Sequence, residues 1–532
     1  MSSVKIISSQ EAAGLITDNA VVGLGGFIGV GVAEEIYIEV ENRFLKNQSP
    51  RNLTLVYAAG NGDGVERGMN HYAHEGLVKR IIGGHMGLAP KFQPLVVNNK
   101  IEAYNLPQGV ISQMFRDGAA GKPRTITHVG LGTFVDPDID GGKLNQATKD
   151  EIVEKVTFDQ KPYLAYKTQE LDFALLKGSV ADESGNISFE KEPLTLEILS
   201  IAMNARNSGG KVIVQVEKIV KNGSIDPKLV AIPGILVDYV VVVENMANHM
   251  QTFGTQHNED FYRGDIVHQQ SNKKYPLNER KVIARRAAML LNEDIKVLNY
   301  GIGVPEIIAN VLQEEGMSDL FTPTLEPGAI GGTAAGGLDF GCSIGPQAII
   351  DQPYMFDYYD GGGIDAAFLG LAQCDVKGNI NVSKFGPKIA GCGGFINITQ
   401  NAGQIAFCGT FTAGGLKVDA SNGRLEVLQE GKAKKFIEVV EQITFSGDVA
   451  RENNKKVIYI TERAVFELLP EGLTLTEIAP GINLERDVLS QMNFRPLIAK
   501  DLKLMDSRIF MDEPMGLKNE SKVALNSNIA AI

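Results

Sequence analysis

The chain has 532 residues, 44% of them apolar, and a formal charge of −13. That length holds two or three domains with ample core, and the acidic balance argues against a nucleic-acid partner, which needs clustered Lys and Arg. Glycine is high, 58 residues or about 11% against a typical ~7%, as many tight strand-to-helix turns require.

The first twenty residues hold no continuous apolar run, so no export signal is expected. The apolar strand "NAVVGLGGF" leads into "GVGVAEEI" from Gly29, which opens a helix. "NLTLVYAA" and "KVIVQVEKI" are further strands of the first half. "LVAIPGILVDYVVVV" is broken by Pro233, Gly234 and Asp238, so it reads as buried strands and not as a membrane span. The polar stretch 241–277, beginning "ENMANHM" at Glu244, has little periodicity and reads as a linker. The second half opens with the helix "ERKVIARRAAMLLN", apolar at three- and four-residue spacing, and continues with the strands "IKVLNY", "AFLGLAQC" and "KKVIYITER". Beyond about residue 505 no motif is legible.

The two halves rhyme. "GVGVAEEI" from Gly29 matches "GIGVPEII" from Gly301, each after an apolar strand. "LDFALLKGSVADESGNIS" from Leu171 matches "IDAAFLGLAQCDVKGNIN" from Ile364, pairing Asp172 with Asp365 and Asp182 with Asp375. Two matches in one order imply a duplicated unit. The expected fold is α/β: two related open α/β domains with mostly parallel sheets, 1–240 and 278–532, and an active site in the cleft between them.

Several chemistries fail on spacing. The GxGxxG register from Gly23 would need glycine at 28, where Ile28 stands, and no Gly-Lys pair is followed by Ser or Thr. "GCSIG" at 341–345 fits the esterase elbow, but all seven histidines precede Ser343, the reverse of that fold's order, so Ser343 reads as part of a small-residue strand or turn. Cys342, Cys374, Cys392 and Cys408 form no CxxC pair; no metal site is expected, and free thiols fit a cytoplasmic chain. A glycosidase ranks low, because the chain has no Trp to stack a sugar.

What stands out is "TLEPGAIGGTAAGG", with Glu326 at the mouth of five glycines in ten residues. Bare backbone lets a ligand approach closely. A Glu with the ordinary pKa of ~4.3 is ionised at neutral pH and attacks an activated acyl group without a base. Read alone, Glu326 could equally be a surface acid or the acid of a helix start; the glycines make the two readings about even.

The stretch from Thr324 to Gly370 closely resembles the part of class I CoA-transferases that bears the glutamate nucleophile, most like the acetate/propionate type with both subunits fused. "VGLGGFIGVGVAEEI", "NLPQGVISQMFRD", "GLGTFVDP", "NYGIGVPEII", "GCGGFINITQ" and "TLTEIAPGI" extend the resemblance over most of residues 20–485. It implies a ping-pong transfer of CoA from a short-chain acyl-CoA to a carboxylic acid, through a mixed anhydride and a glutamyl-CoA thioester on Glu326. It also implies an oxyanion site made by the Gln108 amide and a main-chain NH of Gly393 or Gly394, between which the sequence does not choose. CoA, a co-substrate with no permanent cofactor beside it, would pass Gly391, Gly393, Gly394 and Gly328. Phe27, Tyr57 and Tyr358 are candidates for the acyl pocket, and a homo-oligomer, dimer or tetramer, is the family habit. Pro327 departs from the Asn or Ala common after the catalytic Glu, fixing one backbone angle and removing an NH. The rival readings are an acyl-CoA hydrolase on the same scaffold and a non-catalytic acyl-CoA-binding protein.

Overall fold

Strands such as "FALLK" and "KVIVQV" are apolar at almost every position, as strands buried on both faces must be, and this is the mark of a parallel sheet covered by helices. A computed structural model describes residues 4–264 and 275–518. The chain packs into two units, one of Met1–His268, Leu325–Asp360 and Ser383–Asn397, the other of Gln269–Thr324, Gly361–Val382 and Ile398–Ile532.

The first unit holds an eight-stranded sheet: β1 (Lys5–Ile7), β2 (Val21–Leu24), β3 (Leu53–Tyr57), β4 (Val78–Gly83), β5 (Glu102–Asn105), β6 (Phe173–Lys177), β7 (Lys211–Val216) and β8 (Tyr239–Val242). The order is β1-β8-β7-β6-β2-β3-β4-β5 and every pairing is parallel. Helices α1 (Ser9–Leu15), α2 (Glu34–Asn47), α3 (Phe92–Val97), α4 (Gln108–Ala119) and α5 (Ile198–Asn207) connect the strands. Helix α1 starts with a capping box, Glu11 N–H donating to Ser8 Oγ and Ser8 N–H to the Glu11 carboxylate. The apolar run before residue 244 becomes a short strand at Val230–Ile232 and then β8.

In the second unit, α6 (Glu279–Ala288) is capped by Asn278, whose side chain accepts from Arg280 and Lys281 N–H. Its strands are β9 (Val297–Tyr300), β10 (Thr322–Thr324), β11 (Ala366–Gly370), β12 (Gln404–Cys408), β13 (Lys456–Ile460), β14 (Ala464–Leu469), β15 (Gly472–Ile478) and β16 (Leu497–Leu504), with α7 (Glu306–Glu314) between β9 and β10. The order is β10-β9-β11-β12-β13-β14-β15-β16. It is parallel as far as β13, and the pairs β13·β14 and β14·β15 are antiparallel. Among the described residues no helix is long and apolar enough to cross a membrane.

The internal rhyme has a physical basis. Asp172 Oδ2 accepts from the N–H of Val21 at 2.8 Å, starting β2 beside β6; Asp365 Oδ2 accepts from Val297 at 2.8 Å, starting β9 beside β11. Asp182 Oδ1 takes the N–H groups of Ser184 and Asn186, and Asp375 Oδ1 those of Lys377 and Asn379. Gly185 and Gly378 adopt φ of +85° and +80° in the two turns.

The packing does not follow the halves 1–240 and 278–532. Residues 325–360 and 383–397, from the second half, belong to the first unit; the former ends in α8 (Gln352–Asp360). The expected linker is partly built into that unit as well: Thr252 is fully buried and Thr255 Oγ1 donates to Asp339 Oδ2 at 3.1 Å. Its residues 265–274, like the tail after 518, lie outside the described residues.

Helix α2 is tied to the turn at Met69–Tyr72 by His71, whose Nε2 lies 3.1 Å from Glu34 Oε1 and whose Nδ1 meets Glu41. Burial alone would lower the His71 pKa, but the two carboxylates lift it to about 9. A raised folded-state pKa gives stability that is complete below pH ~6.5 and lost as pH rises through about 9. Urea unfolding from pH 6 to pH 10 is expected to show a loss on the order of 1–3 kcal/mol, flattened in His71→Gln.

Candidate active site

Glu326 stands in a tight turn. Gly328 N–H donates to Leu325 O at 3.0 Å and Leu325 N–H to Ala329 O at 2.9 Å. Gly328 has φ +123°, and a Cβ there would run into the Ile350 carbonyl. Pro327 packs its ring near Gly341, where a Cβ would lie 3.1 Å from Pro327 Cγ. The turn is thus fixed on both sides of the acid. The Glu326 carboxylate has no hydrogen bond or ion pair among the described residues, and burial pushes its pKa up to about 7. The expectation of a fully ionised Glu therefore needs correcting: near pH 7 about half the population is protonated, because the reference pKa belongs to a solvated side chain.

Beside it, the loop after β4 runs against residues 390–394. Met86 and Gly87 N–H both donate to Ala390 O, and Gly393 N–H donates to Gly84 O at 2.7 Å. Asn105, at the carboxyl end of β5, laces the two strips: its Nδ2 donates to Gly83 O and Gly84 O, and its Oδ1 accepts from Cys392 N–H at 2.9 Å. Gly391 has φ +90° and no room for a side chain, since a Cβ would meet Gly84 O and His85 Cα at 2.8 Å. Gly394 differs from its neighbours. A Cβ on it would lie 2.9 Å from Glu326 Cδ, and its N–H has no partner among the described residues. Of the two glycines left open by the sequence, Gly393 has its N–H engaged and Gly394 has its N–H free.

Gln108 begins α4 directly after Pro107 and is 2% exposed. Its N–H donates to Gly393 O at 2.9 Å, and its Oε1 lies 3.7 Å from where a Gly393 Cβ would sit. Its Nε2 donates to Gln352 Oε1 at 3.4 Å, and Gly109 N–H donates to Asn397 Oδ1 at 3.2 Å. Asn397 and Gln113 donate in turn to Asp360, which burial pushes up to about 6 against the lowering effect of those bonds. Glu326, Gln108, Gly393 and Gly394 therefore lie together, all within the first unit.

The other candidates divide. Phe27 is buried and stacked on Phe340, and Tyr57 is fully buried with its hydroxyl unpartnered, while Tyr358 is 44% exposed. Ser343 Oγ donates to Gly331 O at 2.6 Å and the residue is 1% exposed in a short strand, Ser343–Ile344, which fits a small strand residue and not a nucleophile. The four cysteines are free, buried thiols. Among the described residues no cluster of His, Cys, Asp and Glu could hold a metal ion. Sequence reasoning missed Asn105 and Gln352. Asn105 had a usable signal, since it opens the motif "NLPQG" that carries Gln108; Gln352, between Asp351 and Pro353, had none.

A coenzyme A transferase family model matches residues 6–243. The acetate CoA-transferase YdiF of Escherichia coli K12 is 44% identical over 517 residues, 96% of each chain. The caffeate CoA-transferase of Acetobacterium woodii is 46% identical over 519 residues, covering 96% of this chain and 98% of that one. The crystal structure of the acyl-CoA transferase YdiF from E. coli O157:H7, in a thioester complex with CoA, matches with a TM-score of 0.91 at 43% identity over 97% of both chains.

Asn105→Ala would leave two carbonyls and one N–H without their side-chain partner in the interior. Gly83 O and Gly84 O keep the N–H groups of Leu106 and Gly393, so the unpaired Cys392 N–H is the main cost, expected to lower the unfolding free energy by roughly 1–3 kcal/mol, read by urea denaturation.

Proposed function

The chain belongs to the coenzyme A transferase family, and from that premise we propose that it moves CoA from a short-chain acyl-CoA to a carboxylic acid by a ping-pong route through Glu326. The observation that carries the reading is a half-buried carboxylate with no partner among the described residues, lying against the bare Cα of Gly394, whose N–H is also unclaimed.

A Glu326 oxygen attacks the thioester carbonyl carbon. The C–S bond breaks, leaving an acyl-glutamyl anhydride and CoA thiolate. The thiolate attacks Cδ of Glu326, the bond from Cδ to the bridging oxygen breaks, and the first carboxylate departs with that oxygen, leaving a glutamyl-CoA thioester. An acceptor carboxylate then attacks Cδ and expels the thiolate, which takes the new acyl group from the anhydride and restores Glu326. Each attack builds an oxyanion, and preorganised donors at that position are typically worth ~10²–10³ in rate. We assign them to the Gln108 amide and the Gly394 N–H; Gly393 contributes shape, its own N–H being held by Gly84. The pantetheine arm is assigned to the bare backbone of Gly393 and Gly394, over a floor shaped by Gly391 and Gly328.

The relatives' names support a carboxylate acceptor: acetate for YdiF, caffeate for the Acetobacterium enzyme. A short aliphatic acid is the proposal here, with Phe27 and Tyr57 as candidate pocket walls. Descent from a duplicated α/β unit is supported by the matched aspartates. Work in the cytoplasm is supported by four unpaired thiols, and a closed homo-oligomer follows the family resemblance.

Intact mass after exposure to acetyl-CoA without acceptor is expected to reveal a CoA adduct, cleared by acetate or propionate and absent from Glu326→Ala. Steady CoA release without an adduct would favour the hydrolase; neither release nor adduct, with several acyl donors tried, would favour a binding protein. Only the ionised carboxylate attacks, so kcat/KM is expected to fall about tenfold per unit below pH ~7 and to level off above it. A profile flat down to pH 5 would remove the burial argument.

A further inference from the structure

The hydrogen bonds around Gln108 do not close as they stand. Gln352 is fully buried, its main-chain N–H donates to Leu196 O at 2.9 Å, and its Oε1 accepts from Gln108 Nε2 at a long 3.4 Å. Its own Nε2 is buried without any partner. A buried orphan NH₂ is the expensive kind of unpaired group. In the same arrangement Gln108 directs its acceptor, Oε1, toward the Gly393 turn, and its donor away from it. That is the wrong polarity for a site that must receive a developing oxyanion.

The two ends of a carboxamide have the same shape, so a half-turn of each about its last bond exchanges donor and acceptor with no movement of neighbours. We propose that Gln352 is a positioning residue for the transfer reaction: its Nε2 donates to Gln108 Oε1, which turns Gln108 Nε2 toward the Gly393–Gly394 turn, where it joins the Gly394 N–H as the second oxyanion donor. The exchange removes the buried orphan donor at Gln352. It leaves an unpaired acceptor there, a milder penalty, and a free donor at the place where the substrate oxygen arrives. Gln352 holds its end because its main chain is pinned to Leu196 at the start of α8. The inference rests on the oxyanion role proposed for Gln108.

The test compares acceptor-only, neutral and absent partners. Rapid-quench intact mass gives the maximal rate and the half-saturation for adduct formation from acetyl-CoA in wild type, Gln352→Glu, Gln352→Met, Gln108→Leu and the double variant Gln108→Leu/Gln352→Glu. Once ionised, an introduced carboxylate can only accept, so the rates are read from pH 7 to pH 10, and Gln108 Nε2 is pinned away from the reacting oxygen as that buried acid loses its proton. Gln352→Glu is expected to slow the maximal rate ~10²–10³-fold, as Gln108→Leu does, with half-saturation within about threefold. Gln352→Met, which leaves the amide free to turn either way, is expected to lose about tenfold. The double variant should be no slower than Gln108→Leu alone, because both remove one donor. A Gln352→Glu rate within threefold of wild type while Gln108→Leu is slow would overturn the positioning role alone, as would multiplicative losses in the double variant. A full rate in Gln108→Leu would overturn the oxyanion assignment and this inference with it. Should Gln352→Glu fail to fold by circular dichroism, Gln352→Met decides: an unchanged maximal rate overturns the proposal.

Discussion

A carboxylate that is half withdrawn from water and given nothing to bond to is the constraint around which this site is built. Moving the Glu326 pKa from its ordinary value to about 7 makes the charged form costlier by about 3 kcal/mol. A lysine or arginine beside it would remove that penalty. It would also draw electron density from the oxygen that has to attack, and a carboxylate held by a cation is a poor nucleophile toward a thioester. The cost is sustained by the turn that carries the acid: Gly328 is wedged under the Ile350 carbonyl, and Pro327 is confined near Gly341.

The density of glycine then has two separate causes. At Gly328 and Gly391 the space a side chain would need is filled by the protein's own backbone, so these residues permit close packing and positive φ. At Gly394 the missing side chain leaves the Glu326 carboxylate uncovered and an N–H unclaimed. One composition signal thus covers scaffold glycines and a site glycine. Hydrogen bonding separates them: Gly391 and Gly393 donate their N–H groups to Ser383 and Gly84, and Gly394 donates to nothing among the described residues.

Much of the architecture was legible. The matched aspartates at 172 and 365 could be aligned by eye because each has the same task, holding the first N–H of a neighbouring parallel strand. The strands could be read from their unbroken apolar runs. The packing units could not, because residues 325–360 and 383–397 join the first unit through contacts far apart in sequence. The ionisation of Glu326 was misjudged for a related reason: a reference pKa carries no information about burial. The choice between Gly393 and Gly394 needed one bond, Gly393 N–H to Gly84 O, made across about three hundred residues of chain. Asn105 and Gln352 act through side chains whose partners no local pattern announces.

Neutral donors suit the chemistry of such an acid better than charged ones. Amides and main-chain N–H groups at Gln108 and Gly394 do little to the pKa of Glu326 in the resting protein, for which burial is the cause of the shift. The Gly394 N–H is fixed by the main chain, and Gln108 presents its donor in the arrangement proposed above; in a site of low polarity an oriented dipole acts strongly without reorganising. A cation would stabilise the resting carboxylate as well as the oxyanion, and interactions made equally in both states do not accelerate the step. In the proposed route, the absence of any ion pair to Glu326 among the described residues is part of what would let one carboxylate serve first as nucleophile and then as the acyl carbon under attack. Each role passes through an oxyanion, on the substrate carbonyl in the first and on Glu326 itself in the second, and in the proposed route neutral donors meet both.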